Sequence, residues 1–195
     1  SNGAGLIKIP PQILTKSLIK KGGTVVNTVP DEVIVETYVR GANVAAILDA
    51  NEKVDNAFIH CAKAISCQCE INNIPGYLPS NYYSPLSEYI VRNAKYLVDE
   101  NDIINGGRTF ASDDLADVSN MVPVIQIGYS GFSGDFHSCN FNIEDPEMAY
   151  IIPSKLIAMT VFDILQDVEG FKSRISAYKP TMTKEEYIEE WLGLK

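Results

Sequence analysis

Histidine is nearly absent from this chain of 195 residues, which has only His60 and His137. A catalytic zinc takes about three protein ligands of His, Asp, Glu or Cys type, and a two-metal site takes more. Metal chemistry here rests on two imidazoles and on carboxylates. Basic residues are also scarce, 16 Lys and Arg against 25 Asp and Glu, a formal charge of −9. No cluster of Lys and Arg supplies the positive face that nucleic acid or an anionic membrane requires, so neither is expected as a partner. The four cysteines, Cys61, Cys67, Cys69 and Cys139, follow no regular framework, and a chain that is 46% hydrophobic can bury a core without disulfides. The expectation is a reduced, cytoplasmic protein. Three further features are missing: an apolar stretch near the roughly 20 residues that cross a bilayer, a basic and apolar leader after Ser1-Asn2-Gly3, and any internal repeat.

Two blocks of pattern are present. Leu6 to Ile19 reads as a strand, Gly22-Gly23 as a turn and Thr24 to Val29 as the returning strand. Glu32 to Arg40 alternates as a third strand. The period then changes, with Val44, Ile47, Leu48, Val54, Phe58, Ile59 and Ala62 marking a helix from Asn43 to about Ser66. Cys67 to Ile74 alternates again before Pro75-Gly76. That alternation puts Cys67 and Cys69 on one strand face, as packed thiols rather than metal ligands.

The second block opens after Gly76-Tyr77-Leu78-Pro79. Pro85 suits the first turn of a helix, and the acidic loop DENDIINGG follows that helix. Next comes the window ASDDLADVSNMVP, Ala111 to Pro123, with Asp113, Asp114 and Asp117 ahead of an apolar run, Val122 to Ile127, that reads as a buried strand. Acids at a strand entrance are costly unless something needs them there. His137 follows in the Gly-rich GFSGDFHSCNF, whose Gly131 and Gly134 are expected to let backbone approach a cleft. A helix from about Pro146 to Val168 carries Ile152, Leu156, Met159, Phe162 and Leu165 as a core stripe, and Thr183-Lys184-Glu185-Glu186 matches a capping box.

Taken in order, GGTVVNTVPDE (Gly22 to Glu32), YVR ending at Arg40, GYLP (Gly76 to Pro79), SDDLADVSNMVP and HSCNF resemble the metal-dependent aminoacylase and carboxypeptidase family. The nearest members are the amidohydrolases of N-acyl amino acids and aminobenzoyl-glutamate. The resemblance covers nearly the whole chain and implies an α/β fold with an α+β insert. Residues 1–78 would form a small antiparallel-sheet lid that mediates homodimerisation, and residues 79–195 the C-terminal portion of a zinc-exopeptidase-like α/β catalytic domain. Family members hold a dinuclear centre of divalent metal, zinc or manganese. Their first metal-binding histidine, bridging acid and adjacent glutamates have no counterpart in this sequence. The implied function is therefore part of an enzyme that hydrolyses the amide bond of an N-acyl amino acid or small peptide. This chain supplies no catalytic residue, is inactive alone, and need not bind metal by itself.

Residue by residue, His137 matches the family's last metal ligand, a neutral imidazole whose other nitrogen is oriented by an acceptor. Asp114 and Asp117 match acid positions, with Ala116 where glycine is usual. With Ser119 they are expected to support the metal ligands, through Asp bonds to backbone N–H groups. Asp113 stands where an uncharged residue is usual and is expected to be solvated. Asn27 and Arg40 match a pair that holds the substrate's free carboxylate, a task suited to a planar guanidinium. His60 is expected on a surface or packing face of its helix. The alternative reading is a catalytically inactive fragment that acts as an oligomerisation or interaction module, because a partial sheet leaves apolar edges to be covered.

Overall fold

The computed structural model describes residues 13–104 and 113–193. The start of the expected first strand, Leu6 to Gln12, therefore lies outside the described residues, as do Ala111 and Ser112 of the acidic window and the Gly106-Gly107 pair. The chain divides into two compact units, one running to Pro79 and the other beginning at Ser80. Mixed helices and small antiparallel sheets make up the fold.

In the first unit β1 (Ile13–Lys21) pairs antiparallel with β2 (Ile34–Gly41), Ile13 facing Gly41 and Lys21 facing Ile34. This replaces the expected partner: Thr24 to Val29 is a loop, with Val26 and Val29 exposed. The physical reason lies in what each segment offers β1. Pro30 has no N–H to donate to a ladder, whereas the Glu32 to Arg40 segment sets Glu36 against Lys20 and Glu32 against Lys21, each at 2.7 Å. Thr37 and Ser17 add a hydroxyl pair at 2.9 Å between opposed residues.

Helix α1 (Val44–Ala64) packs on this hairpin. Asn43 starts it by accepting the Ala46 N–H at 2.9 Å, a capping bond that satisfies an otherwise orphan donor. Ser66 ends it at φ +59°, where Cys67 N reaches the Ala62 carbonyl and Ser66 N the Lys63 carbonyl, a Schellman stop. Gly41 sits where sheet and helix meet, since a Cβ there would come within 2.8 Å of Ile13 Cδ1 and 3.1 Å of Ile47 Cγ1. Cys67 to Ile74 is not a strand, because no neighbouring strand is available to it among the described residues. Beyond the Cys67 bond that ends the helix, the amide of Asn73 ties it to α1 by donating to Asp55 at 2.7 Å. Without a sheet to bury them, Cys67 and Cys69 are exposed free thiols rather than packed ones.

The second unit begins with a 3₁₀ turn, Ser84–Leu86, that carries Pro85 in its first turn and leads into α2 (Ser87–Ala94). After α3 (Asp114–Val118) come the short strands β3 (Phe132–Ser133) and β4 (Asn142–Ile143), paired antiparallel. A wide π turn, Glu147–Ile151, runs straight into α4 (Ile152–Gln166), and Asp167 breaks the helix by capping α5 (Val168–Ile175) through Gly170 N at 2.9 Å. Last come α6 (Lys184–Glu186), with both bonds of its capping box made at Thr183, and a second π turn, Tyr187–Trp191.

Helices α2 and α4 pack together, with Tyr89, Ala94, Ala149 and Leu156 buried. Polar groups seal this contact: Asn93 and Arg92 both donate to Asp163, at 2.8 and 2.6 Å. These bonds, the Asn93 amide foremost, hold the Asp163 carboxyl below its usual range.

Three expectations fail in this unit. Val122 to Ile127 forms no strand and belongs to no sheet. Of the expected core stripe only Leu156 is buried, while Phe162 and Leu165 are 61% and 65% exposed, because α2 covers only one side of α4. Glu147–Gln166 is also a 20-residue helix whose most apolar 18-residue stretch has mean hydropathy 1.6, long and apolar enough to cross a membrane by length and composition, which the sequence reading excluded. Lys155 and Asp163 interrupt the apolar run without lowering its average below that threshold.

Candidate functional site

The acidic window is the start of a helix, not the entrance to a strand, and this changes the work of each aspartate. Asp113, expected to be solvated, is the N-cap of α3: one carboxylate oxygen accepts the Ala116 N–H at 3.0 Å and the other accepts Gln126 Nε2 at 2.8 Å. The same glutamine accepts the Tyr82 hydroxyl at 2.5 Å. Burial, then the Asp113 charge, pushes the Tyr82 phenol up. Asp113 thus does the backbone anchoring expected of Asp114 and Asp117. Asp114 is exposed in the first turn, where a negative charge suits the helix dipole.

Asp117, Ser119 and Asn120 face inward instead and are among the most buried polar side chains of the described residues. Asp117 accepts the Tyr187 hydroxyl at 2.7 Å. The Ser119 hydroxyl accepts Asn81 N at 2.8 Å and donates to the Ala116 carbonyl at 2.6 Å, while the Ser119 carbonyl accepts the Tyr178 hydroxyl, also at 2.6 Å. Asn120 donates to the Ala116 carbonyl and accepts the Thr181 hydroxyl, and its own carbonyl takes Thr181 N at 2.9 Å. One short helix therefore ties together segments at 81, 178–181 and 187. Burial raises the Tyr178 phenol above its ordinary value, as a neutral donor in such a network requires. The sequence marked Asp117 and Ser119 but not their partners Tyr187, Asn81 and Tyr178, nor Asn120 with its partner Thr181. Isolated hydroxyls and amides in loops carry no periodicity, so no sequence signal picked them out.

His137 occupies the loop between β3 and β4. Its backbone lies at φ +64°, left-handed territory that few residues other than glycine enter, although histidine does so more than most. Two glycines force the path of the chain. At Gly131, φ +101°, a Cβ would approach the Asp145 carbonyl oxygen to 2.5 Å, and at Gly134, φ +81°, it would collide with the Asn140 carbonyl. The expected close backbone approach is there, made to the chain's own carbonyls. Ser138 closes the loop by donating to the Asp135 carbonyl at 2.7 Å, and Phe141 stacks between Phe132 and Phe136, with ring centroids at 5.2 and 5.3 Å. The imidazole is presented to solvent at the tip of this ordered turn.

Among the described residues no three His, Cys, Asp or Glu side chains come together as a cation site, and about three are needed. Asp117 accepts the Tyr187 hydroxyl through one oxygen, and Asp113 uses its two oxygens for the Ala116 N–H of α3 and for Gln126. His60 is exposed on α1, apart from any such group.

In the first unit Asn27 lies exposed in the loop between β1 and β2. Arg40 stands near the end of β2, opposite Leu14, with its guanidinium over the Tyr38 ring at 4.6 Å. Between Ile34, where the loop ends, and Arg40 run about 20 Å of strand at roughly 3.3 Å per residue. No family model, curated protein or solved structure matches the chain.

Proposed function

We propose that the chain is one part of a metal-dependent amidohydrolase that cuts the amide bond of an N-acyl amino acid or a small peptide. His137 would be its contribution to the zinc or manganese centre, and the ligands that complete the centre would come from outside this chain. The observation that supports this reading is the backbone of His137: an imidazole on a left-handed residue, in a turn fixed by two glycines that tolerate no side chain. Such conformations persist where surrounding structure over-determines them, and they concentrate at functional sites. Asp117 and Ser119 would act at a distance by holding α3 and the loops tied to it. Asn27 and Arg40 would meet the substrate's carboxylate from the lid, through which two copies would pair.

The test is hydrolysis of N-acetyl amino acids and aminobenzoyl-glutamate by the zinc- or manganese-loaded chain. The assay is run with and without a polypeptide carrying the family's metal-binding histidine, bridging acid and paired glutamates. Activity is expected only in the mixture, and His137→Ala abolishes it.

A second reading, the interaction module without catalysis, is favoured by Glu147–Gln166, of whose most apolar stretch only 17% is buried. Tyr150, Ile157, Phe162 and Leu165 line its exposed side. Contiguous exposed apolar surface marks interaction sites. In that case the mixture stays inactive while the chain still associates.

A further inference from the structure

Phe136, in the turn between β3 and β4, is 79% exposed, the most exposed aromatic side chain among the described residues. Its turn is ordered: the Asp135 carbonyl accepts the Ser138 hydroxyl, and the Asn140 side chain accepts the Asp135 N–H at 3.3 Å. One face of the ring rests on Phe141, with centroids 5.3 Å apart, and behind Phe141 come Phe132 and then Tyr129, at 5.2 and 5.7 Å. The other face is therefore open to solvent. An aromatic face is electron-rich and attracts a cation.

Elsewhere the chain shows what it lays on such a face. Arg40 lies over Tyr38 at 4.6 Å, and Arg92 and Arg174 lie over Tyr89 at 5.4 and 5.3 Å. Two of these guanidiniums hold a carboxylate at the same time, Arg92 with Asp163 and Arg174 with Glu88, the residue just before Tyr89. Asp135 and Phe136 repeat that sequence of carboxylate and ring. Among the described residues, however, Asp135 makes no ion pair and no cation lies over Phe136. The surrounding chain supplies none: no Lys or Arg stands between Arg108 and Lys155, a stretch that holds seven Asp and Glu.

We infer that Asp135 and Phe136 receive an arginine side chain of a basic partner protein, its guanidinium stacked on the open face of Phe136 and bonded to the Asp135 carboxylate. Charge favours that occupant. Residues 1–79 carry seven acidic and seven basic side chains, so the charge of −9 lies beyond Pro79, in the unit that holds this turn. A field of that sign draws in basic partners. Arginine suits the pair better than lysine, because a planar, weakly hydrated guanidinium can lie on a ring while its edge bonds a carboxylate, whereas an ammonium is a strongly hydrated point charge. Both contacts lie at the surface, so one arginine binds weakly, on the order of millimolar. The inference needs no metal and does not rest on the amidohydrolase reading.

Titration of the full chain with the capped peptide Gly-Arg-Gly, followed by amide NMR shifts, tests this against the peptide Gly-Lys-Gly. The expected shifts concentrate at residues 132–141, and the lysine peptide binds more weakly. Phe136→Leu keeps an apolar side chain beside Phe141 but removes the ring, and it weakens the arginine peptide about threefold. Asp135→Asn weakens it by a similar factor while the backbone bonds of Asp135 stay in place. Both side chains are exposed, so the spectrum outside the turn stays that of the parent. Glu185→Gln, at an exposed acid of α6, leaves binding unchanged. No shifts in the turn, equal affinity for the two peptides, or binding that Phe136→Leu leaves intact overturns the inference. So do shifts spread evenly over the acidic unit, the pattern of unspecific charge attraction.

Discussion

The Tyr187 hydroxyl donates to a carboxylate oxygen of Asp117 across 70 residues of sequence, at 2.7 Å. Asp117 is 8% exposed, and the bond fastens the C-terminal turn to α3. Tyr187→Phe is expected to destabilise the chain by about 1–3 kcal/mol, the range for losing a hydrogen bond to a buried charged group. Thermal unfolding followed by circular dichroism checks this, and an unchanged melting temperature counts against the bond.

Ser119→Ala acts at the same hub from the other side. It removes the acceptor of Asn81 N and the donor to Ala116, and leaves a backbone N–H without its partner. The expected cost is about 1–3 kcal/mol. Asp114→Ala, at an exposed position one turn away, is expected to cost less than about 0.5 kcal/mol. Urea unfolding of the two variants side by side gives the comparison.

Gly134→Ala places a Cβ against the Asn140 carbonyl at φ +81°. Strain of this kind is on the order of 1–3 kcal/mol. Hydrogen exchange at residues 131–141 is expected to accelerate while exchange in α1 stays as it was. Uniform acceleration along the chain contradicts a local role for this glycine.

Acid stability carries the signature of Asp163. Its carboxyl titrates below its usual value of 3.8 because Asn93 and Arg92 bond the charged form. A depressed carboxylate contributes stability that is fully present above the unfolded value and lost as pH falls through the lower folded value. Stability is therefore expected to decline from about pH 4 downward, and Asp163→Asn flattens that decline. A variant that unfolds in acid with the same pH dependence as the parent refutes the assignment.

Much of the local structure was legible where a side chain talks to nearby backbone. Thr183 announced its helix because capping is settled within three residues, and the helix after Asn43 was legible in its apolar period. Pro85 did the same for the turn before α2. The errors concern partners distant in sequence. Thr24 to Val29 and Cys67 to Ile74 alternate like strands, yet alternation says nothing about which neighbour is present to bond them. Asp113 was misread for a related reason. Three acids within five residues look alike in sequence, and the helix phase alone decides that Asp113 caps, Asp114 is solvated and Asp117, the fourth residue beyond the cap, points inward. For the site, His137 and its glycines were visible as residue types, but the left-handed backbone that distinguishes His137 was not.

Zinc or manganese assays of amide hydrolysis by the chain and its His137→Ala variant test the central claim most directly. They are run alone and together with a polypeptide that supplies the remaining metal-binding residues. The account predicts no turnover by the chain alone, turnover in the mixture, and loss of that turnover in the variant. Hydrolysis by the chain alone, or turnover in the mixture that survives His137→Ala, contradicts it.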